Sequence, residues 1–277
     1  MKFTKMHGAG NDYVYVDARS LKKDWPSVAV FVSNRNFGIG SDGLILAEES
    51  DVADVKMSMY NSDGSQGEMC GNGIRCLVAF AIINNIVSKK DVISVETLAG
   101  VKNVTPVYED DKIVRCIVSM GLPEFQASKI PVKFDSTVPI IDAPIKVAGQ
   151  SYEVSMVSMG NPHAVVFLES PVDDFDLTTI GPKFENLEIF PNRTNFEIVN
   201  IIDDNKLKVR VWERGSGITL ACGTGACAVG VIARNKGIIS DNVNISLPGG
   251  NLLVRWDGIS DVYLEGPVEL VFEGEMF

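Results

Sequence analysis

The chain uses one short motif twice, and that repetition constrains its fold more than any other feature. Residues 70–76 read Cys70-Gly71-Asn72-Gly73-Ile74-Arg75-Cys76, and residues 222–228 read Cys222-Gly223-Thr224-Gly225-Ala226-Cys227-Ala228. Each copy is a cysteine, a Gly-x-Gly turn and an apolar run with helical spacing. Other features recur in the same order. Gly10-Asn11 matches Gly160-Asn161, Phe37…Asp42 matches Phe190…Asn195, Asp63-Gly64-Ser65 matches Arg214-Gly215-Ser216, and Leu98-Ala99-Gly100 matches Pro248-Gly249-Gly250. With the cysteines, these give offsets of 150 to 153 residues (160 − 10, 190 − 37, 214 − 63, 222 − 70, 248 − 98). Chance accounts for one such match; five in register predict two homologous lobes. The period is too long for a solenoid and has the size of a domain.

Within the first lobe, Ile74, Leu77, Val78, Ala81 and Ile82 recur at helical spacing, which predicts a helix from Gly71 to about Asn85. A helix apolar around most of its circumference requires burial on all sides, and a strongly curved sheet wrapped around it supplies that. Strands are expected at 13–16, 44–46, 55–60, 92–96, 102–108 and 113–120, with a helix over 25–36. The segment 121–150, with Pro123, Pro131, Pro139 and Pro144, reads as the crossing into the second half. Short strands, close turns and the lack of alternating β-α units predict antiparallel sheets. The expected class is therefore α+β: two pseudo-symmetric lobes, each an antiparallel, barrel-like sheet around a central helix. The strand at 265–272 is expected to return to the first lobe. The lobes then comprise 1–119 with 265–277, and 120–264.

Composition excludes some partners. A net charge of −11 disfavours nucleic acid and anionic membrane surfaces, which are recognised through basic patches. No apolar run reaches transmembrane length and the N-terminus shows no signal-peptide core, so a cytoplasmic location is expected. Five cysteines, an odd number, point to thiols rather than a disulfide framework. With two histidines and no close C-x-x-C pair, no metal site is expected. Cys116 reads as a buried small hydrophobe, and Cys76 and Cys227 as core-facing helical residues.

A Gly-x-Gly at a helix start leaves N–H groups for an anion, and a cysteine just before it is expected to have a lowered thiol pKa. Either copy alone reads as an ordinary helix entry. Two equivalent copies suggest more: a carboxylate held by both helix starts, with one thiol on each side of the adjacent carbon. One thiol takes a proton from one face and the other gives one to the opposite face, which inverts a stereocentre.

The runs Asn61-Ser62-Asp63-Gly64-Ser65…Cys70-Gly71-Asn72-Gly73-Ile74-Arg75-Cys76 and Glu213-Arg214-Gly215-Ser216-Gly217…Cys222-Gly223-Thr224-Gly225-Ala226-Cys227 carry a family resemblance. So do the opening Lys5-Met6-His7-Gly8-Ala9-Gly10-Asn11-Asp12 and Gly160-Asn161-Pro162-His163. Together they resemble the diaminopimelate epimerases over nearly the whole chain. The resemblance implies two lobes, each a barrel around a helix, and a homodimer that uses neither pyridoxal phosphate nor metal. It implies interconversion of LL- and meso-diaminopimelate, a small amino-acid substrate of lysine and peptidoglycan biosynthesis. It makes Cys70 and Cys222 the acid–base pair, Cys70 the donor and Cys222 the acceptor for the LL isomer. It places His163 and Glu213 near the thiols. Asn11, Asn61, Asn161, Asn195, Glu213 and Arg214 would hold substrate, and the N–H groups of Gly71, Asn72, Gly223 and Thr224 the reacting carboxylate. Some relatives carry a glutamine where this chain has Gly43, so no contact is expected there. Arg75 reads as structural, paired with a carboxylate on the lobe surface.

Two alternatives stay open at this point. One is a racemase of another amino acid, such as histidine, on the same scaffold. The other is a thiol/disulfide redox sensor.

Overall fold

The computed structural model describes residues 1–276. The chain divides into two compact units, Met1–Ser119 together with the chain from Glu265 onward, and Met120–Leu264.

The first unit begins with β1 (Lys2–Gly8), β2 (Asn11–Asp17), α1 (Trp25–Ser33), β3 (Gly43–Glu48), β4 (Val55–Asn61) and β5 (Gln66–Gly67). Then come α2 (Gly71–Ile83), β6 (Ile93–Thr97), β7 (Gly100–Glu109) and β8 (Lys112–Gly121). The second unit carries β9 (Ala143–Val147), β10 (Gln150–Ser158), β11 (Pro162–Phe167), α3 (Leu177–Glu185), β12 (Asn195–Asp203) and β13 (Lys206–Glu213). It continues with β14 (Gly217–Ile218), α4 (Gly223–Asn235), β15 (Asn242–Leu247) and β16 (Gly250–Arg255). The chain returns to the first unit through β17 (Val262–Pro267) and ends on β18 (Glu269–Glu275).

The two units share a pairing scheme. In the first, β1 pairs antiparallel with β2 and β18, β2 runs parallel to β3, β3 antiparallel to β4, and β4 parallel to β6. In the second, β10 pairs antiparallel with β11, β11 runs parallel to β12, β12 antiparallel to β13, and β13 parallel to β15. Antiparallel pairs dominate, but each unit contains two parallel ones that the strand pattern did not reveal. The register also refines the repeat. Tyr13 stands opposite Gly43, as His163 stands opposite Asn195. The structural counterpart of Asn195 is therefore Gly43 (195 − 43 = 152), one residue along from the Asp42 that the sequence match selects.

Each sheet encloses one helix. Every residue of α2 from Gly71 to Ile82 is buried, and α2 packs on β1, β2, β3, β4 and β7. Helix α4 is buried in the same way against β10, β11, β12, β15 and β16. Each enclosed Ile, Leu or Val contributes roughly 1.5–3 kcal/mol relative to exposure, so these helices anchor their units. α2 ends near the expected position. α1 ends at Ser33 instead of 36.

Helix α3 and strand β9 were not foreseen. Gly181 and Pro182 sit inside α3 and break its sequence signal. The glycine has a packing reason: a Cβ there would lie 2.6 Å from the Trp212 ring, so only glycine lets that indole lie on the helix. Behind it, Phe184 stacks on Phe196 of β12 at 3.8 Å, inside an apolar cluster with Tyr152 and Phe175.

Candidate active site

Both repeated cysteines cap a helix, and they do so identically. Cys70 is the N-cap of α2 at φ −127°, ψ 121°, and Cys222 is the N-cap of α4 at φ −117°, ψ 116°. Each sulfur accepts the N–H three residues on, from Gly73 at 3.3 Å and from Gly225 at 3.4 Å. A sulfur in place of the usual cap oxygen is thereby fixed at the positive end of a helix. The glycines are required by close approach. A Cβ at Gly73 would lie 2.6 Å from Ile45 Cδ1, and one at Gly225 would lie 2.8 Å from Glu197 Oε1.

Around Cys70, the thiol donates to Asn11 Oδ1 at 3.2 Å, and Asn72 Nδ2 reaches the same oxygen at 3.5 Å. Asn11 Nδ2 donates to Asp42 at 2.7 Å, which joins Asp12 and Arg35 in an ion-pair group completed by Lys5. Burial alone would raise Asp12, but the Arg35 and Lys5 bonds outweigh it and hold the carboxyl below its ordinary value. Buried Tyr13 bears on both Cys70 and Asn11, and burial followed by the Cys70 charge pushes its phenol well up. Asn61, at the end of β4, donates to Ser65 Oγ at 2.9 Å.

Around Cys222 the polar residues form a chain. Buried His163 meets Glu197 Oε1 through Nδ1 at 2.7 Å and Asn161 Oδ1 through Nε2 at 2.9 Å. Asn161 Nδ2 donates to Thr224 Oγ1 at 3.3 Å, and that hydroxyl lies 3.5 Å from the Cys222 sulfur. With the Asn161 amide placed so, both ring nitrogens face acceptors. With the amide turned, its NH₂ serves Nε2 and Thr224 donates back. Glu213 bonds the Cys222 side chain and accepts from Thr219 Oγ1 at 2.5 Å. Burial raises the Glu213 carboxyl, Thr219 and His163 offset part of that, and Glu197 adds to it.

The expected lowering of the thiol pKa does not hold at Cys222. Burial, then the carboxylates of Glu213 and Glu197, push this thiol well above its ordinary value, outweighing the Thr224 hydroxyl and the Gly225 N–H. A helix start helps a thiolate only where it is not also desolvated among carboxylates.

Asn195 and Arg214 belong to the same neighbourhood. Asn195 spends both arms on backbone, accepting from Arg214 N–H and donating to Pro162 O, each at 2.9 Å. The Arg214 guanidinium donates to Asn192 O at 3.1 Å. Arg75 is not on the surface and, among the described residues, has no carboxylate partner, contrary to its expected role. It is wholly buried and donates to Gly71 O, Asn72 Oδ1 and, at 3.5 Å, Pro267 O.

Three neighbours escaped the sequence. Glu197 holds His163 and is fully buried. Glu185 accepts from Gly215 N–H and Arg193, both at 2.9 Å, and from the Trp212 indole at 2.7 Å, which fixes the turn after Glu213. Tyr13 occupies in the first unit the ladder position of His163 in the second. Aligning the repeat at 152 residues, which sets Glu197 on Ile45 (197 − 45), would have exposed the first of these. Among the described residues, no group of three or more His, Cys, Asp or Glu side chains could hold a metal ion.

The family model described as Diaminopimelate epimerase matches residues 3–126 and 155–271. The chain belongs to the diaminopimelate epimerase family. It is 50% identical to a diaminopimelate epimerase of Methanococcus maripaludis, across 100% of this chain and 99% of that protein. It is 47% identical to one from Desulfovibrio desulfuricans, across 100% and 98%. Among solved structures, it resembles a Bacillus anthracis phenazine biosynthesis protein of the PhzF family with a TM-score of 0.70 at 15% identity, covering 100% of this chain and 99% of that one. It resembles a probable proline racemase from Agrobacterium radiobacter with a TM-score of 0.68 at 13% identity, covering 100% and 92%. These two likenesses concern the fold.

Proposed function

We propose that this chain interconverts LL- and meso-diaminopimelate through Cys70 and Cys222, with no pyridoxal phosphate. The observation that carries the reading is the identical placement of the two sulfurs, each an N-cap that accepts the N–H of the third residue on. One cysteine, as thiolate, takes the α-proton. The other, as thiol, returns a proton to the opposite face, and the configuration inverts. The α-C–H of an amino acid is a weak acid, so the carboxylate beside it must be stabilised as charge develops. Cap bonding occupies the N–H groups of Gly73 and Gly225, and the N–H groups of Gly71, Asn72, Gly223 and Thr224 are assigned to that carboxylate. His163 and Glu213 tune Cys222. Asn11, Asn61, Asn161, Asn195, Glu213 and Arg214 are assigned to the rest of the substrate, whose two ammonium and two carboxylate groups call for both signs of charge.

We further infer a homodimer. Leu270 and Phe272, which share one face of β18, are both exposed, as an unfilled contact row would be. Light scattering of the purified protein tests this. Among the described residues no helix is long and apolar enough to cross a membrane, and a cytoplasmic location suits a biosynthetic epimerase.

The substrate is tested by incubating the protein in deuterated water with LL-diaminopimelate or with single amino acids. Deuterium at an α-carbon of diaminopimelate is expected. Exchange on histidine but not on diaminopimelate would overturn the assignment.

A further inference from the structure

Glu197 is a buried acidic side chain that no step of the proposed inversion uses. It lies in the buried run of β12 and is wholly enclosed. Its Oε1 meets Nδ1 of the equally buried His163 at 2.7 Å. Its Oε2 has no hydrogen-bond partner among the described residues. Burying a carboxyl with one oxygen unmet is costly. The sheet does not require it, since buried Ile45 holds the same ladder position in the first unit. Helix α4 is also shaped around it, because a Cβ at Gly225 would lie 2.8 Å from Oε1.

From His163 the contacts continue to the sulfur. Nε2 lies 2.9 Å from Asn161 Oδ1, Asn161 Nδ2 lies 3.3 Å from Thr224 Oγ1, and Thr224 Oγ1 lies 3.5 Å from Cys222 Sγ. The ends of such a chain set the direction of donation along it. A carboxylate only accepts, so it takes the hydrogen of Nδ1. In the neutral ring Nε2 is then an acceptor, and it takes the NH₂ of the Asn161 amide turned to exchange its oxygen and nitrogen. The amide oxygen accepts the Thr224 hydroxyl, and the Thr224 oxygen accepts the Cys222 thiol. Every hydrogen in this arrangement has one acceptor. In the other tautomer, bare Nδ1 and the carboxylate oxygen would face each other as two acceptors 2.7 Å apart.

We propose that Glu197 is a positioning residue of the epimerisation: it locks His163 as the Nδ1–H tautomer, and the locked ring aims the Asn161 amide and the Thr224 hydroxyl at Cys222. Glu197 acts through His163. The arrangement describes the state in which Cys222 holds its proton, and the raised thiol of Cys222 agrees with a sulfur that donates. When Cys222 is the thiolate, rotation of the Thr224 hydroxyl alone turns that contact into a donor. Asn161 and Thr224 are also assigned to substrate, so a ring free to change tautomer would loosen substrate and sulfur together. The proposal rests on the reading that Cys222 exchanges protons with substrate.

The test is ¹⁵N NMR of the full, substrate-free protein labelled at histidine, in which the shift of each ring nitrogen shows whether it carries hydrogen. The chain has two histidines, and His7→Gln assigns their signals. Wild type, Glu197→Gln and Glu197→Asp are compared, with kcat/KM measured on diaminopimelate alongside. Wild-type His163 is expected to carry hydrogen on Nδ1 and none on Nε2. The amide of Glu197→Gln can present either end to Nδ1, so an Nε2–H signal is expected to appear and kcat/KM to fall about 10–100-fold. Glu197→Asp keeps a carboxylate and is expected to keep the Nδ1–H signature and recover part of the lost activity. An Nδ1–H signature unchanged in Glu197→Gln overturns the proposal, as does a changed ring with kcat/KM intact. Should the variants not fold, a wild-type His163 with hydrogen on Nε2 overturns it equally. The tautomer does not depend on which amino acid is turned over, so failure of the substrate reading shows separately, as absence of α-proton exchange on diaminopimelate.

Discussion

The two cysteine sites are built on one template and furnished with different charged neighbours. Cap geometry, helix length and strand pairing agree between Cys70 on α2 and Cys222 on α4. The neighbours differ. Tyr13, Ile45 and Arg75 in the first unit stand where His163, Glu197 and Cys227 stand in the second. Duplication thus supplies the geometry of two capped sulfurs, and the three substitutions give them different surroundings. In the proposed reaction a base and an acid act at once, and an unaltered duplicate would offer two groups with the same proton affinity.

Removing either sulfur should have the largest effect. Cys70→Ala and Cys222→Ala are each expected to lower epimerisation by about 10²–10⁴-fold, the usual contribution of a positioned acid or base, measured by the appearance of the second stereoisomer. Neither should unfold the protein, since only a cap contact is lost.

The asymmetry itself can be reduced from the second side. Glu213→Gln and Glu197→Gln remove charges that raise the Cys222 thiol, so the pH midpoint of Cys222 alkylation by iodoacetamide should fall in both. Glu213 is the stronger of the two, so its variant should move further. A rise in either would mean that the carboxylates do not set the protonation of this thiol.

Packing offers a further contrast. Gly225→Ala presses a methyl group on Glu197 Oε1, which His163 holds, whereas Gly73→Ala presses on the terminal carbon of Ile45, which can turn away. Overpacking costs about 1–3 kcal/mol, and Gly225→Ala should lie at the upper end and Gly73→Ala at or below the lower, by urea unfolding.

The smallest effect is a slope. Cys76, Cys116 and Cys222 all ionise at higher pH when folded than a free thiol. Folded-state values raised in this way give stability that is complete below the unfolded thiol value, about 8.5, and lost as pH rises toward the folded values. The unfolding free energy measured with urea should therefore fall above about pH 9, by up to about 1.4 kcal/mol per pH unit for each withheld thiolate.

The sequence made the template legible and concealed the asymmetry. The repeated Cys-Gly-x-Gly and the apolar spacing after it located α2, α4 and both caps, because helix starts and buried periodicity are local signals. Glu197 was concealed because an acidic residue between Phe196 and Ile198 reads as the solvent side of a strand. In β12 the run Asn195–Val199 is buried throughout, since β11 and β12 pair in parallel and are covered on both faces. Arg75 was concealed for a similar reason: a charged residue on a helix ordinarily marks its wet face, and α2 has none over its first three turns. Helix α3 was lost to Gly181 and Pro182, which serve Trp212 packing rather than helix propensity.

The central claim is that the two capped thiols divide one inversion between them, and isotope transfer tests it most directly. Protiated LL-diaminopimelate is converted in deuterated water, and the product and the remaining substrate are sampled early by mass spectrometry and NMR. The account predicts one solvent deuterium at the inverted carbon of every new meso molecule, an unlabelled LL pool, and meso product from Cys70→Ala or Cys222→Ala only at a rate about 10²–10⁴-fold lower. Meso product that keeps its original α-proton, or a single-cysteine variant that epimerises at the wild-type rate, would contradict it.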